Sequence, residues 1–251
     1  MSAKENFHLV QTRGLGIDFG GVKAVQGVDF TLADGELRCV IGPNGAGKST
    51  FFKLLTGQYR PTHGDVAIRG RSIVGMQTHE IARLGVGIKT QVPSVFNGLS
   101  VRENVWLSAR RDRPPRLANE ACDDVLERLE LTGVRDRLVG ELSHGQRQWV
   151  ELGLVIATDP ALVLLDEPAA GMSDEEVERT AELIRRINQR SALIVVEHDM
   201  PFIKMIAKTV TVFNRGQVLM EDTVDRVLAD ERVRDVYLGK QLHAELARQA
   251  A

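Results

Sequence analysis

Nine residues, Gly42-Pro43-Asn44-Gly45-Ala46-Gly47-Lys48-Ser49-Thr50, stand between an apolar run, Leu37 to Ile41, and a segment of helical pattern, Phe51 to Leu55. The spacing is G-x-x-x-x-G-K-[ST], with strand before and helix after, the setting of a phosphate-cradling loop. Glycines let successive backbone N–H groups turn inward around a phosphate chain, where most side chains would block the approach. The helix that begins near Lys48 adds its partly positive N-terminus. Lys48 brings a full positive charge to the outer phosphates, and the Ser49 hydroxyl is a hard oxygen ligand for Mg²⁺. A plain glycine-rich turn has no structural use for Lys-Ser at this place.

With 251 residues, 43% apolar and 26% charged, the chain suits one globular domain, with two lobes around one site. A net charge of −2 gives no basic footprint for nucleic acid. Cys39 and Cys122 are far apart and lack metal-ligand spacing, which fits reduced thiols in a cytosolic protein. The longest apolar runs, Ala161–Leu165 and Ala192–Val196, fall far short of the roughly 18–20 residues that span a bilayer. The N-terminus has no secretory pattern. The expectation is a cytoplasmic protein whose membrane role comes through partners.

Phe7–Thr12 and Val28–Leu32 read as strands, with a turn at Gly20-Gly21 between them and another at Asp34-Gly35. Asp65–Ile68 and Arg71–Val74 read as a hairpin around Arg69-Gly70. From about Gln91 to Asp159 the pattern is helical: Val101–Ala109 with a Ser100/Glu103 capping box, Asn119–Leu131 after a break at Pro114-Pro115, and Gly145–Ala157. Leu162–Leu165 is a buried strand, Ser173/Glu176 caps a helix through Ile187, and Leu193–Val196 is the next strand. A short helix, Pro201–Ala207, precedes a hairpin, Val210–Phe213 with Gln217–Met220, and helices from about Thr223 close the chain. Alternating strands and helices predict an α/β fold with a largely parallel sheet. The division expected is an α/β core at about 1–90 and 160–251, with a helical subdomain inserted at about 91–159.

Further chemistry lies beyond the loop. Leu162–Leu165 ends in Asp166-Glu167. A carboxylate at the C-terminal end of a core strand, near a phosphate loop, is placed to support Mg²⁺ through its water shell, and Asp166 fits. Glu167, on the alternate face of the strand, can reach an attacking water. Leu142-Ser143-His144-Gly145-Gln146 opens a helix: Ser143 can cap it and Gly145 exposes N–H groups to an anion, although the chemistry alone equally describes an ordinary capped helix. His198, just past a core strand, can contact a terminal phosphate or be structural; Gln91 alone carries almost no signal; Phe19 can stack on a base or sit in a core.

Taken together, Gly42–Thr50, Gln91, Leu142–Gln146, Leu162–Glu167 and His198 occur in an order that resembles ATP-binding cassette ATPases across essentially the whole chain. The Leu-Ser-His-Gly-Gln element separates that family from other P-loop proteins. The resemblance implies a P-loop NTPase of the ABC type, with a mixed β-rich and RecA-like core. It implies that Phe19 stacks on adenine and that Gly42, Pro43, Asn44, Gly45, Ala46, Gly47, Lys48, Ser49 and Thr50 bind the phosphates of ATP. It implies that Ser49, Gln91 and Asp166 serve Mg²⁺, that Glu167 is the general base and that His198 senses the γ-phosphate. Ser143, Gly145 and Gln146 would bind ATP held by a second ATPase subunit, the same chain or a relative, in a head-to-tail dimer. Permease subunits in the membrane would hold the pair at its inner face, and no nucleic acid is involved.

Glu141–Gln146, Asp166–Glu176, Glu197-His198-Asp199-Met200 and Val236-Tyr237-Leu238-Gly239 look most like ATPases of importers for branched-chain amino acids, urea and short amides, the urea type above all. Two positions depart from the commoner pattern. His144 replaces a glycine, and Ser173 replaces an aspartate that would reach across a dimer. The block Val92-Pro93-Ser94-Val95-Phe96 is expected to line the groove for a membrane subunit. Rival readings are an ATPase of a lipid or lipopolysaccharide exporter, a soluble cassette protein acting on nucleic acid, and a scaffold that binds ATP without cleaving it.

Overall fold

The computed structural model describes residues 8–90 and 94–236. Phe7, the Gln91-Val92-Pro93 stretch and Tyr237-Leu238-Gly239, all drawn on above, lie outside the described residues. In chain order the elements are β1 (His8–Phe19), β2 (Val22–Ala33), β3 (Leu37–Ile41), α1 (Lys48–Leu55), β4 (His63–Ile68), β5 (Arg71–Ser72), α2 (Thr78–Arg83), β6 (Val86–Lys89), α3 (Val101–Arg110), α4 (Pro115–Arg128), α5 (His144–Ile156), β7 (Leu162–Asp166), α6 (Asp174–Asn188), β8 (Ala192–Val196), α7 (Met200–Ile206), β9 (Thr209–Asn214), β10 (Gln217–Thr223) and α8 (Val224–Ala229).

The chain forms two compact units. One comprises Met1–Ala33, Leu37–Thr78 and Val196–Ala251. Within it an antiparallel sheet has the order β2-β1-β4-β5. β3 is buried along its length and pairs in parallel with β9, which pairs antiparallel with β10. Rings of Phe30, Phe51 and Phe213 meet at centroid distances of 5.4 and 5.0 Å, so α1 is packed through Phe51 onto strands β2 and β9. β1 runs seven residues past the expected end at Thr12, and β2 starts six residues before Val28. Glycines interrupt the alternation there, but Gly14 and Gly27 take positive φ, and the register shifts of the β1–β2 ladder absorb the interruption as bulges.

The other unit comprises Asp34–Glu36 and His79–Val195. β6 and β7 pair in parallel, Val86 opposite Leu162 through Lys89 opposite Leu165. All five residues of β7 and of β8 are buried, as expected of apolar runs covered on both faces. α2 and β6 were not anticipated from sequence. Gly87 masks β6; a Cβ there would lie 2.6 Å from Val155 Cγ1 and 3.0 Å from Pro160 Cγ, so the glycine is set by close packing. α4 starts at Pro115 rather than Asn119, because proline at the first helical position lacks only an N–H that the helix does not need. It ends at Arg128, short of Leu131. The capping boxes at Ser100/Glu103 and Ser173/Glu176 form as read, and Ser143/Gln146 makes a third.

Candidate active site

The phosphate loop leaves β3 at Gly42 and enters α1 at Lys48. Gly47 is the N-cap at φ +103, and no side chain caps the helix, so its first N–H groups stay available to an anion. Lys48 folds back over the loop, its Nζ donating to the carbonyls of Gly42 at 2.6 Å and Pro43 at 3.1 Å. Ser49 is exposed on the first turn. The loop is braced from behind. Gly216 N–H donates to Ala46 O at 2.8 Å, Gln26 N–H to Gly216 O at 2.8 Å, and the Gln26 amide to Arg215 O at 3.0 Å. The turn between β9 and β10 is thereby tied to β2 and to the loop.

Close backbone packing explains two of the three glycines. A Cβ on Gly42 would overlap the Phe213 carbonyl oxygen, and one on Gly47 would lie 2.6 Å from Ala24 O. Gly45, at φ +77, has open space where a Cβ would point. Only Gly45 is glycine purely for backbone conformation and access; Gly42 and Gly47 are also fixed by packing.

Phe19 is 43% exposed and meets Tyr59 edge-on, centroids 5.3 Å apart, with Lys53 Nζ 5.1 Å from the centre of the Tyr59 ring. It is therefore no core residue, and Tyr59 and Lys53 are companions the sequence did not reveal. His198 follows β8, its side chain 58% exposed. Its N–H donates to the carboxylate of buried Glu197 at 3.0 Å, and Glu197 N–H donates to Val40 O at 3.2 Å, so His198 sits at the strand end from which the phosphate loop departs. Asp199 caps α7 through Phe202 N–H at 2.8 Å. Burial, then the negative Glu197, pushes the Cys39 thiol far up, leaving it inert.

In the other unit, Asp166 is the last, buried residue of β7. Glu167 does not continue the strand: it turns to φ +47. The alternation expected of a strand therefore gives the wrong reason for the direction of its side chain. A left-handed non-glycine residue costs about 1–3 kcal/mol and persists only where its surroundings hold it. The loop that follows bonds to itself, Ala170 N–H to Glu167 O at 3.3 Å and Met172 N–H to Ala169 O at 3.4 Å.

Ser143 caps α5, accepting from Gln146 N–H at 3.2 Å, and its hydroxyl donates to Glu176 Oε1 at 3.2 Å. A Cβ on Gly145 would collide with that carboxylate, so Gly145 is glycine because Glu176 passes close. Glu176 also accepts from Ser173 N–H at 3.2 Å, standing at the first turns of both α5 and α6. The capping box at 173–176 was legible in the sequence; its reach to α5 was not. Further along α5, Glu151 Oε2 and Lys89 Nζ form an ion pair at 3.4 Å, with side chains 4% and 3% exposed. Burial raises the Glu151 carboxyl above its ordinary value, and Lys89 opposes that shift.

The loop residues fit a polyphosphate with a divalent cation: an uncapped helix start, an open face at Gly45, a lysine over the loop and an exposed hydroxyl at Ser49. No group of three or more His, Cys, Asp or Glu able to hold a metal occurs among the described residues. A magnesium ion held largely by phosphates and water needs no such cage.

Residues 25–170 match the ABC transporter family. The chain is 32% identical over 250 residues to the high-affinity branched-chain amino acid transport ATP-binding protein BraF of Pseudomonas aeruginosa, covering 92% of this chain and 98% of that protein. It is 32% identical over 222 residues to the lipopolysaccharide export system ATP-binding protein LptB of Haemophilus influenzae, covering 87% and 92%. Among solved structures, the ADP conformation of MJ1267, an ATP-binding cassette of an ABC transporter, superposes with a TM-score of 0.82 at 26% identity, covering 92% and 99%. With the phosphate loop, the Asp166-Glu167 strand end and the Leu142–Gln146 element in place, the chain belongs to the ABC transporter family as an ATP-binding, ATP-hydrolysing subunit.

Proposed function

We propose that this chain is the ATPase of an importer for branched-chain amino acids, urea or short amides, working with separate permease subunits at the inner face of the membrane. The match to BraF along nearly the full length of both proteins is the observation that carries this reading. Among the described residues no helix is long and apolar enough to cross a membrane, so the reading assigns the passage to other chains.

In this reading Gly42–Thr50 wrap the phosphates of ATP and Phe19 stacks on adenine. Lys48 and the first N–H groups of α1 stabilise the charge that develops on the transferred phosphoryl group. Ser49 would hold Mg²⁺, with Gln91 and Asp166, and the ion would neutralise charge between the β- and γ-phosphates. Glu167 takes a proton from the attacking water, and His198 contacts the γ-phosphate. Ser143, Gly145 and Gln146 bind the γ-phosphate of ATP on a second ATPase subunit, so ATP holds the pair together and its cleavage releases them. The helical subdomain at about 91–159 carries the contact with the permease.

The chemistry is tested by turnover and by size-exclusion chromatography with Mg-ATP. Glu167→Gln is expected to abolish turnover and to trap an ATP-dependent dimer. Undiminished turnover removes Glu167 as the base. The transport class is tested by isolating the membrane partners and measuring uptake of labelled leucine and urea in cells lacking the gene. The resemblance to LptB favours a second reading, an exporter ATPase. Normal uptake of both solutes together with capture of lipopolysaccharide-export partners would establish that one.

A further inference from the structure

We propose that His144 is a positioning residue for the loop that carries Glu167. The proposal rests on the reading of Glu167 as the base. The ring Nε2 lies 3.1 Å from the carbonyl oxygen of Ala170. A carbonyl only accepts, so Nε2 carries the hydrogen and donates. Ala170 stands three residues beyond Glu167, and its own N–H donates back to the Glu167 carbonyl at 3.3 Å. A single residue thus faces Glu167 with its N–H and His144 with its C=O. Gly171 lies beneath the same ring: a Cβ there would be 3.4 Å from Nε2.

The loop needs such a hold. It opens with Glu167 in the left-handed region and passes through Gly171 at φ +73. Its far end is pinned by the Ser173 cap of α6 and by Thr180 Oγ1, which lies 3.1 Å from Met172 Sδ. Its middle is held from α5 by the imidazole. The first turn of α5 does not depend on this bond for its own place, because Ser143 already caps it and already bonds to Glu176 on α6. The His144 bond therefore acts on the loop, and through Ala170 on Glu167. A glycine at 144, the commoner residue in the resembling pattern, has no group to make it.

The test is steady-state Mg-ATP turnover of the full chain carrying His144→Ala, His144→Gly or His144→Gln, with thermal unfolding alongside. A glutamine amide reaches about as far as Nε2 and donates the same hydrogen bond. Losing one such bond at a positioning site predicts kcat lower by about three- to tenfold in the alanine and glycine variants, with KM for ATP within about twofold. The glutamine variant is expected to regain most of the lost rate. Wild-type kcat in the alanine variant, or no recovery with glutamine, overturns the proposal. Full turnover by Glu167→Gln alone instead overturns the reading of the base, so the two failures are told apart.

Discussion

Replacing Gly47 by alanine separates packing from phosphate binding. Gly47 sits at φ +103, and its added Cβ would stand 2.6 Å from Ala24 O and 3.2 Å from Gly216 Cα. Both neighbours are backbone: Gly216 belongs to the bonded chain Gln26–Gly216–Ala46, and Ala24 lies on β2 two residues before Gln26, so neither can yield without straining that brace. The backbone conformation costs an alanine about 1–2 kcal/mol. Forcing a methyl group into an occupied position adds about 1–3 kcal/mol. The sum, about 2–5 kcal/mol, lowers the unfolding midpoint of a chain this size by roughly 5–15 °C. Gly45→Ala, with open space at the Cβ and φ +77, should cost only about 1 kcal/mol. The assay is thermal unfolding without nucleotide, where phosphate contacts cannot contribute. If Gly47→Ala melts within about 2 °C of the wild type, or if Gly45→Ala loses as much, the packing account fails.

Substitutions at three other places test the remaining geometry. Glu151→Met leaves the Lys89 ammonium buried without the carboxylate 3.4 Å away and should cost about 3–5 kcal/mol, whereas Lys89→Met/Glu151→Met together should be near neutral; denaturant unfolding of the three proteins compares them. Because the folded Glu151 carboxyl titrates above its ordinary value of 4.5, its protonated form is favoured in the fold. The stability linked to it is present below 4.5 and lost as pH rises through the folded value, so the double variant should gain most relative to wild type at neutral pH. Glu103 has the opposite sign. Bonds from the Ser100 N–H and hydroxyl hold its carboxyl below 4.5, so its contribution is present above that value and disappears as pH falls through the lower folded one; Glu103→Gln should flatten that part of the midpoint-against-pH curve. Phe19→Ala, removing a ring 43% exposed, should lower the midpoint little and raise KM for ATP several-fold; an unchanged KM would remove Phe19 from the adenine site.

The interior elements were legible because their patterns are long and their punctuation is chemical. β3 runs over Leu37–Ile41 as read, and α6 begins at the Ser173 cap and ends one residue beyond Ile187. Several of the differences share one cause: glycine and proline read locally as breaks. Gly14 and Gly27 sit inside β1 and β2 as bulges, Pro115 starts α4, and Gly87 lies within β6. In each case a tertiary neighbour or the position within the element decides what the residue does, and neither is written in the local pattern.

The same distinction runs through the site. Gly42, Gly47, Lys48 and Ser49 were legible because phosphate chemistry requires those types at that spacing. What holds them was not: Ala24 and Gly216 press on Gly47 from positions 23 residues before and 169 after it in sequence, and no local signal marks either. Glu197 stands just past an apolar run with no motif of its own, yet it is buried, bonded through its backbone to Val40 and through its carboxylate to the N–H of His198. Glu176 reads as half of a capping box, yet its carboxylate also accepts from Ser143 and obliges position 145 to be glycine. Groups that meet a ligand are chosen for their chemistry, which is local and so readable. Groups that aim them are chosen for reach across the fold, where several residue types would serve and the tertiary neighbours decide which one does. Substitutions at the aiming positions should accordingly follow geometry: Glu176→Gln leaves one acceptor where the Ser143 hydroxyl uses Oε1 and the Ser173 N–H uses Oε2, so it should lose one of the two bonds and about 1 kcal/mol, whereas Gly145→Ala, which meets the carboxylate of Glu176, should lower the midpoint and loosen the first turn of α5 in hydrogen exchange. Equal midpoints for Gly145→Ala and wild type would show that the glycine answers to something other than this carboxylate.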